Sequence, residues 1–475
     1  MKNVFELLKN AAEKSPNRVV FEDSSPITYK EALEKVKGVA CYLKRRNIKS
    51  ERILVNVGRD YRTLLLFLGI ALSGNCYVPS DDSYPEERKK DIISIGGIVH
   101  GFDAENLANL SSFEALNETP SEEEVKEMEA SFNAEAPLCL LFTSGSTGRP
   151  KGVLKCHRNM LAFVSNFLKT IPLPEGARLA NQTPFSFDAS AKDIYLTLAV
   201  GGTLCIPDRS KFALPKVLVD YLNDKKIDTI FWVPSALTGI AKTRTLNFVK
   251  PECLKYVFFI GETFPPKYLN MWVEAMPKTR FFNLYGSTEI AGACLYHEVK
   301  GPQPLDAQIP LGQTIFGNDV YLGNGEICVI SDQVALGYYG DQERTAKTFL
   351  ICDDVVNLHT GDYGHLDANR DFVFNARKDF QIKHMGYRIE LQDIEVALSS
   401  LDYINDICCL YDADKSKIVL VVTLNRELVD AQSTILADAR KKLPAYMVPG
   451  AVRVLKEMPM NANGKIDRVG LSKTL

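Results

Sequence analysis

The sequence predicts an α/β protein with a large amino-terminal domain built on parallel-rich sheets and a small α+β carboxyl-terminal domain, on three observations. Apolar runs near 228–233, 255–260 and 280–285 alternate with helical stretches near 235–242 and 265–276, the pattern of βαβ units in a largely parallel sheet. An apolar strand, Leu140-Leu141-Phe142, empties into a loop of glycines and hydroxyls, Thr143-Ser144-Gly145-Ser146-Thr147-Gly148-Arg149-Pro150-Lys151-Gly152. From about 380 onward the texture changes to short strands (405–411, 417–424), a helix (430–443) that stops at Pro444, and a last strand (451–455).

Each stretch in turn supports that organisation. The 475 residues exceed what one core usually holds, so at least two domains are expected. The run Leu64 to Leu72 is far too short to span a bilayer and reads as a buried helix. Residues 111–136 are rich in Glu and Ser and poor in apolar side chains, which predicts a solvated connector with room for a short helix. After Asp319, the sequence Val320 to Val329 reads as a hairpin turning at Gly323-Asn324-Gly325.

Composition excludes several functions. Lys plus Arg (56) nearly balance Asp plus Glu (59), so there is no electrostatic case for a nucleic-acid partner. The 11 cysteines are scattered, without metal-knuckle spacing, as expected of reduced cytoplasmic thiols. The start, Met1-Lys2-Asn3-Val4-Phe5-Glu6, lacks the pattern of a signal peptide, and no membrane association is expected.

The loop after Phe142 has the chemistry of a phosphate cradle. Glycines let backbone N–H groups converge on one anion, hydroxyls add donors, and Lys151 adds charge. It is not a Walker loop, because Pro150 and Gly152 flank the lysine where that motif requires glycine before it and a hydroxyl after it. A different nucleotide chemistry is implied.

Nine segments in a fixed order carry a family resemblance. They are Ile27-Thr28-Tyr29-Lys30-Glu31, Gly74 to Pro79, the cradle, Phe187-Asp188-Ala189-Ser190, Asn283-Leu284-Tyr285-Gly286-Ser287-Thr288-Glu289, Thr360-Gly361-Asp362, Arg377 to Lys383, Gly386-Tyr387-Arg388-Ile389-Glu390 and Asn463-Gly464-Lys465-Ile466-Asp467-Arg468. In these the chain resembles the adenylate-forming superfamily of acyl-CoA synthetases, luciferases and nonribosomal peptide synthetase adenylation domains, most of all a stand-alone amino-acid adenylation enzyme. The resemblance implies a multi-subdomain core over residues 1–378 and a mobile, hinge-linked domain over 379–475. It also implies two half-reactions: a carboxylate attacks the α-phosphorus of ATP, and a thiol then displaces AMP.

The resemblance assigns roles residue by residue. Thr143, Ser144, Gly145, Ser146, Thr147, Gly148 and Lys151 would grip the β- and γ-phosphates. Among the ATP-binding residues Gly261, Asn283, Tyr285 and Gly286, Tyr285 would offer a face to adenine and either Asn283 or the Gly261-Glu262-Thr263 turn would meet its edge; Asp362 would hold the ribose and Arg377 the ribose or a phosphate, although the family usually has glycine where this chain has Ala376. Glu289 would hold Mg²⁺, as hard oxygen ligands suit that ion, with Thr288 beside it. Lys465 would be the catalytic lysine of adenylation, a point charge reaching both carboxylate and adenylate oxygens. Asp379 falls at the hinge, and Gly386 would line a tunnel for a phosphopantetheine arm.

The substrate follows from the same comparison. Asp188 matches the aspartate that pairs with the α-ammonium in amino-acid-activating members. Ala189, Lys192, Phe231, Phe258, Ile260, Leu284, Gly292 and Ala293 would line the rest of the pocket, whose bulk favours a small side chain. Lys192 either snorkels out of the cleft or faces a polar substrate group. D-alanine–carrier protein ligases are similar around 379–395, but they typically have cysteine where this chain has Ile260. The expected partners are a small amino acid and a phosphopantetheinylated carrier protein acting in trans, with ATP and Mg²⁺. The alternatives are a D-alanine–carrier protein ligase specifically, or a CoA ligase for a small carboxylic acid.

Overall fold

The computed structural model describes residues 1–104, 106–144, 149–352, 355–377, 381–413, 415–460 and 466–475. The expected strands and helices around the candidate site form with bounds of Thr229–Trp232, Pro234–Lys242, Tyr256–Ile260, Pro266–Ala275 and Arg280–Tyr285. These three strands pair in parallel and belong to a nine-stranded sheet that is antiparallel only at its margins. Parallel strands must be covered on both faces, which is why they read as unbroken apolar runs.

A second, seven-stranded sheet contains Arg52–Val57, Cys76–Asp81, Pro137–Thr143 and Lys151–Cys156. One apolar core joins residues of both sheets, among them Phe21, Val55, Tyr77, Leu141, Phe231 and Phe258. Helix Tyr29–Arg45 begins where Thr28 and Glu31 form a reciprocal capping box, so one of the sequence motifs is a helix start. Helix Tyr61–Leu72 is capped by Asp60 and buried from Thr63 to Leu72, as its apolar sequence predicts. A five-stranded antiparallel sheet follows, beginning with the hairpin Asn318–Gly323 and Glu326–Ser331. Asn324 (φ 52°) and Gly325 (φ 83°) both adopt the left-handed conformation that a two-residue hairpin turn requires.

The connector expectation for 111–136 is corrected. The segment forms helices Ser112–Asn117 and Glu122–Ala130, capped by Ser111 and Ser121. Ala115, Leu116, Val125 and Met128 are buried. Its acidic side chains are ion-paired: Glu124 with Arg45 at 2.8 Å, Glu129 with Lys9 at 2.8 Å, and Glu118 and Glu127 with Arg45 and Lys44. Composition marked the segment as solvated, but complementary charge on helix Tyr29–Arg45 docks it.

The chain divides into two compact units. The first comprises Met1–Asp81, Ile95–Leu141 and Gly152–Lys378; the second comprises Asp82–Ser94, Phe142–Lys151 and Asp379–Leu475. Within the second unit, strands Ile404–Asp412, Lys417–Leu424 and Ala451–Leu455 form a sheet over helices Leu391–Ser399 and Ala431–Lys442. No described helix is long and apolar enough to cross a membrane.

Candidate active site

In the first unit the nucleotide-type motifs converge around one carboxylate. Asp362 and Arg377 are cross-strand partners, and the Arg377 guanidinium donates to Asp362 Oδ1. The Tyr285 hydroxyl donates to Asp362 Oδ2 at 2.6 Å. Burial pushes the Tyr285 phenol well above its ordinary range, with the Asp362 charge adding to the effect, so the phenol remains a donor. Gly361, at φ 73° inside strand Val355–Leu366, precedes Asp362, and its N–H donates to Glu326 Oε1 at 2.8 Å. This Glu326 brace has no counterpart in the motif reading.

Two further features fit a bound nucleotide. A Cβ built on Gly261 would meet nothing within 4 Å, so open space lies beside it. Glu289 is 2 % exposed and its Oε1 accepts from the Tyr338 hydroxyl at 2.7 Å. In the same turn the buried Ser287 hydroxyl has no hydrogen-bond partner among the described residues, an unsatisfied oxygen that suits an absent polar ligand. A buried carboxylate beside an unengaged hydroxyl is a donor set compatible with Mg²⁺. Asn283, expected at the adenine edge, spends its amide N–H on the Pro310 carbonyl at 2.7 Å.

These motifs coincide with a family match. The model for AMP-binding enzyme matches residues 8–339, and that for the AMP-binding enzyme C-terminal domain matches 393–465. The chain belongs to the AMP-binding enzyme family. A D-alanine–D-alanyl carrier protein ligase of Bacillus licheniformis is 30% identical over 504 residues, covering 99% of each chain. Among solved structures, the Vibrio cholerae adenylation domain AlmE in complex with glycyl-adenosine-5'-phosphate aligns with a TM-score of 0.84 at 18% identity, over 100% of this chain and 98% of that one. NpsA-ThdA, an artificially fused adenylation-PCP di-domain from Klebsiella oxytoca, aligns with a TM-score of 0.83 at 21% identity, over 95% and 93%. This AMP-binding enzyme is an AMP-forming ligase.

At Asp188, expected to face a substrate ammonium, the structure shows an internal ion pair. Asp188 is not an open carboxylate: its Oδ1 accepts from the ammonium of Lys155, a side chain with no exposure, while the Asp188 side chain is 11% exposed. Sequence reasoning missed Lys155. The available signal was a lysine in Gly152-Val153-Leu154-Lys155-Cys156, a strand otherwise fit for burial, where a charge needs a partner.

The residues expected to wall the pocket lie in a buried aromatic cluster. Phe231 and Phe258 stack with centroids 4.4 Å apart, Phe282 stacks on Phe258 at 5.0 Å, and Phe167 meets Phe231 and Phe258. Ile260, Leu284 and Ala293 are buried in the same core. Gly292 sits at φ 72°, and a Cβ there would lie 2.2 Å from Phe163, so any side chain at this position must displace that ring. Lys192 is 2% exposed, which rules out snorkelling. It lies on helix Ser190–Ala199 beside Asp193. Burial pushes the Asp193 carboxyl up to about 7, against the opposing pull of Asn181, Lys192 and Arg59. Ala189 precedes that helix and does not cap it with a side chain.

In the second unit, Ser144 is committed to the protein. Its hydroxyl donates to the Arg388 carbonyl at 2.9 Å and accepts from the Glu390 N–H at 3.1 Å. Lys151 Nζ lies 4.0 Å from Glu390. The buried Thr143 hydroxyl has no hydrogen-bond partner among the described residues. Gly386 (φ 82°) follows Met385 (φ 51°) at the tip of the hairpin Gln381–His384 and Tyr387–Glu390. Gly145, Ser146, Thr147, Gly148, Asp379 and Lys465 lie outside the described residues.

Proposed function

We propose that this AMP-binding enzyme activates a small amino acid as its aminoacyl-adenylate and transfers it to the phosphopantetheine thiol of a carrier protein. The observation that carries the small-substrate reading is the Phe231–Phe258–Phe282 stack, which fills the volume a larger side chain would need. The D-alanine–D-alanyl carrier protein ligase relative supports both the carrier and an alanine-sized substrate.

In the first half-reaction a substrate carboxylate oxygen bonds to the α-phosphorus of ATP. The bond from that phosphorus to the bridging oxygen breaks, and pyrophosphate leaves with the electron pair. Asp362, oriented by Tyr285 and Arg377, accepts the ribose hydroxyls. Thr143, Ser146, Thr147 and Lys151 steady the departing pyrophosphate, and Lys465, with Thr288 nearby, balances charge at the reacting oxygens. Glu289 would hold Mg²⁺, which supplies neutralisation of the triphosphate. In the second half-reaction the domain carrying Gly386 swings at Asp379, and the thiol sulfur displaces AMP. All eleven cysteines are free thiols, which supports a reducing, cytoplasmic setting.

A CoA ligase for a small carboxylic acid is the second reading, favoured by the Lys155–Asp188 pair. Mass spectrometry of a phosphopantetheinylated carrier, incubated with enzyme, ATP, Mg²⁺ and glycine or either alanine enantiomer, separates the two. The expected result is an aminoacyl mass gain on the carrier. Acylation of free CoA with no carrier loading would overturn the reading.

A further inference from the structure

The Lys155–Asp188 pair bears on which acids are activated, and the inference rests on the reading of Asp188 as the residue facing the substrate's α-position. A carboxylate meant for a substrate ammonium gains most when nothing else neutralises it. Here an internal ammonium already does so. Lys155 has no exposure, so it cannot turn out to water when substrate enters.

Among the described residues its surroundings offer no second anion. Cys139, across the pair, is a thiol that burial pushes up to about 12, with Lys155 opposing. The Tyr77 and Tyr195 hydroxyls, 3.0 Å apart, are both held neutral by burial. Asp193, on the next helix, is bound to Asn181 at 2.7 Å and balances Lys192 and Arg59. A substrate ammonium at Asp188 would therefore be a second cation sharing one carboxylate in a nearly dry pocket, where like charges repel strongly. A hydroxyl or a hydrogen at the same position meets no such repulsion.

We propose that Lys155 is a specificity-determining residue, a resident counter-ion that lets Asp188 read the α-substituent as a hydrogen-bonding group and not as a charge. Small carboxylic acids with a neutral α-substituent, such as 2-hydroxy acids, are then substrates alongside the amino acid. The chemistry of activation is unchanged, since only the carboxylate reacts.

The test is ATP–pyrophosphate exchange with alanine, lactate and propionate, in both enantiomers where they exist, for the wild type, Lys155→Met and the double variant Lys155→Met/Asp188→Asn. The wild type should prefer alanine to lactate by no more than about tenfold, and Lys155→Met should move that ratio toward alanine by at least about tenfold, with the double variant returning it. A wild-type preference for alanine above about a hundredfold overturns the inference whether or not the variants fold. So does a ratio unmoved in a folded Lys155→Met protein. Loss of exchange with every acid, aminated or not, would instead overturn the activation reading, and the inference with it.

Discussion

Asp362, buried, and Asp188, half-buried, are both carboxylates held by an internal cation, yet they teach opposite lessons. Asp362 is paired by Arg377 from the adjacent strand, and both residues belong to motifs of the family. Arg377 also donates to the Thr360 carbonyl at 3.4 Å, and Tyr285 fixes the second oxygen of Asp362. The result is a braced acceptor. Asp188 is paired by a wholly buried lysine that no motif announced, and the pairing consumes the charge for which the residue was singled out. One cation orients its carboxylate for work; the other neutralises it.

The comparison can be broken by removing each carboxylate. Asp188→Ala would strand the buried Lys155 ammonium and should lower the unfolding free energy by about 4 kcal/mol, measured by urea denaturation. A loss no greater than that of an exposed pair would show that water reaches Lys155. Acid titration probes the same strand's end. Burial pushes His157, which follows Cys156, down to about 4 from an ordinary 6.5, so it is neutral in the folded protein. Below pH 6.5 the unfolded chain takes up a proton that the folded one refuses. The stability advantage of wild type over His157→Asn should therefore shrink by about 3 kcal/mol as pH falls from 6.5 to 4. Asp193 works in the opposite sense, its raised value favouring the folded state as pH falls from about 7, but it is common to both proteins and cancels in that difference.

At the braced carboxylate, Asp362→Asn keeps an acceptor for Tyr285 but loses the charge facing Arg377. It should lower kcat/KM for ATP by about 30-fold, or about 2 kcal/mol, chiefly through KM. An unchanged KM for ATP would remove Asp362 from the ribose. The smallest effect is expected at Gly292→Ala, where the new methyl displaces Phe163 and costs about 1–2 kcal/mol. A thermal melt checks this, and an unchanged Tm would show that the pocket wall gives way freely.

How legible each region was follows from its physics. Gly361, Gly292 and Gly386 all adopt positive φ, so their glycines stand out in sequence. Asp362, inside strand Val355–Leu366, and Glu289, in the turn after strand Arg280–Tyr285, stand out as carboxylates among small and hydroxyl residues. The aromatic stack was legible as bulky apolar positions in predicted strands. Lys155 was not, because one lysine in an apolar strand reads as an interruption, and its partner lies 33 residues away. The connector 111–136 misled because composition records polarity but not the complementary charges on helix Tyr29–Arg45. Asn283 was legible as a polar residue in a buried strand, but its carbonyl partner at Pro310 was not. The lysine and hinge assignments, Lys465 and Asp379, rest on their motifs alone.

The central claim is that this protein breaks the bond between the α- and β-phosphates of ATP to activate a small acid, and ATP–pyrophosphate exchange in wild type and Lys465→Ala tests it most directly. Label should pass from pyrophosphate into ATP only when a small acid is present, and Lys465→Ala should lower that exchange about a thousandfold while the Tm stays unchanged. Release of ADP and phosphate without exchange, or exchange undiminished in Lys465→Ala, would contradict the account.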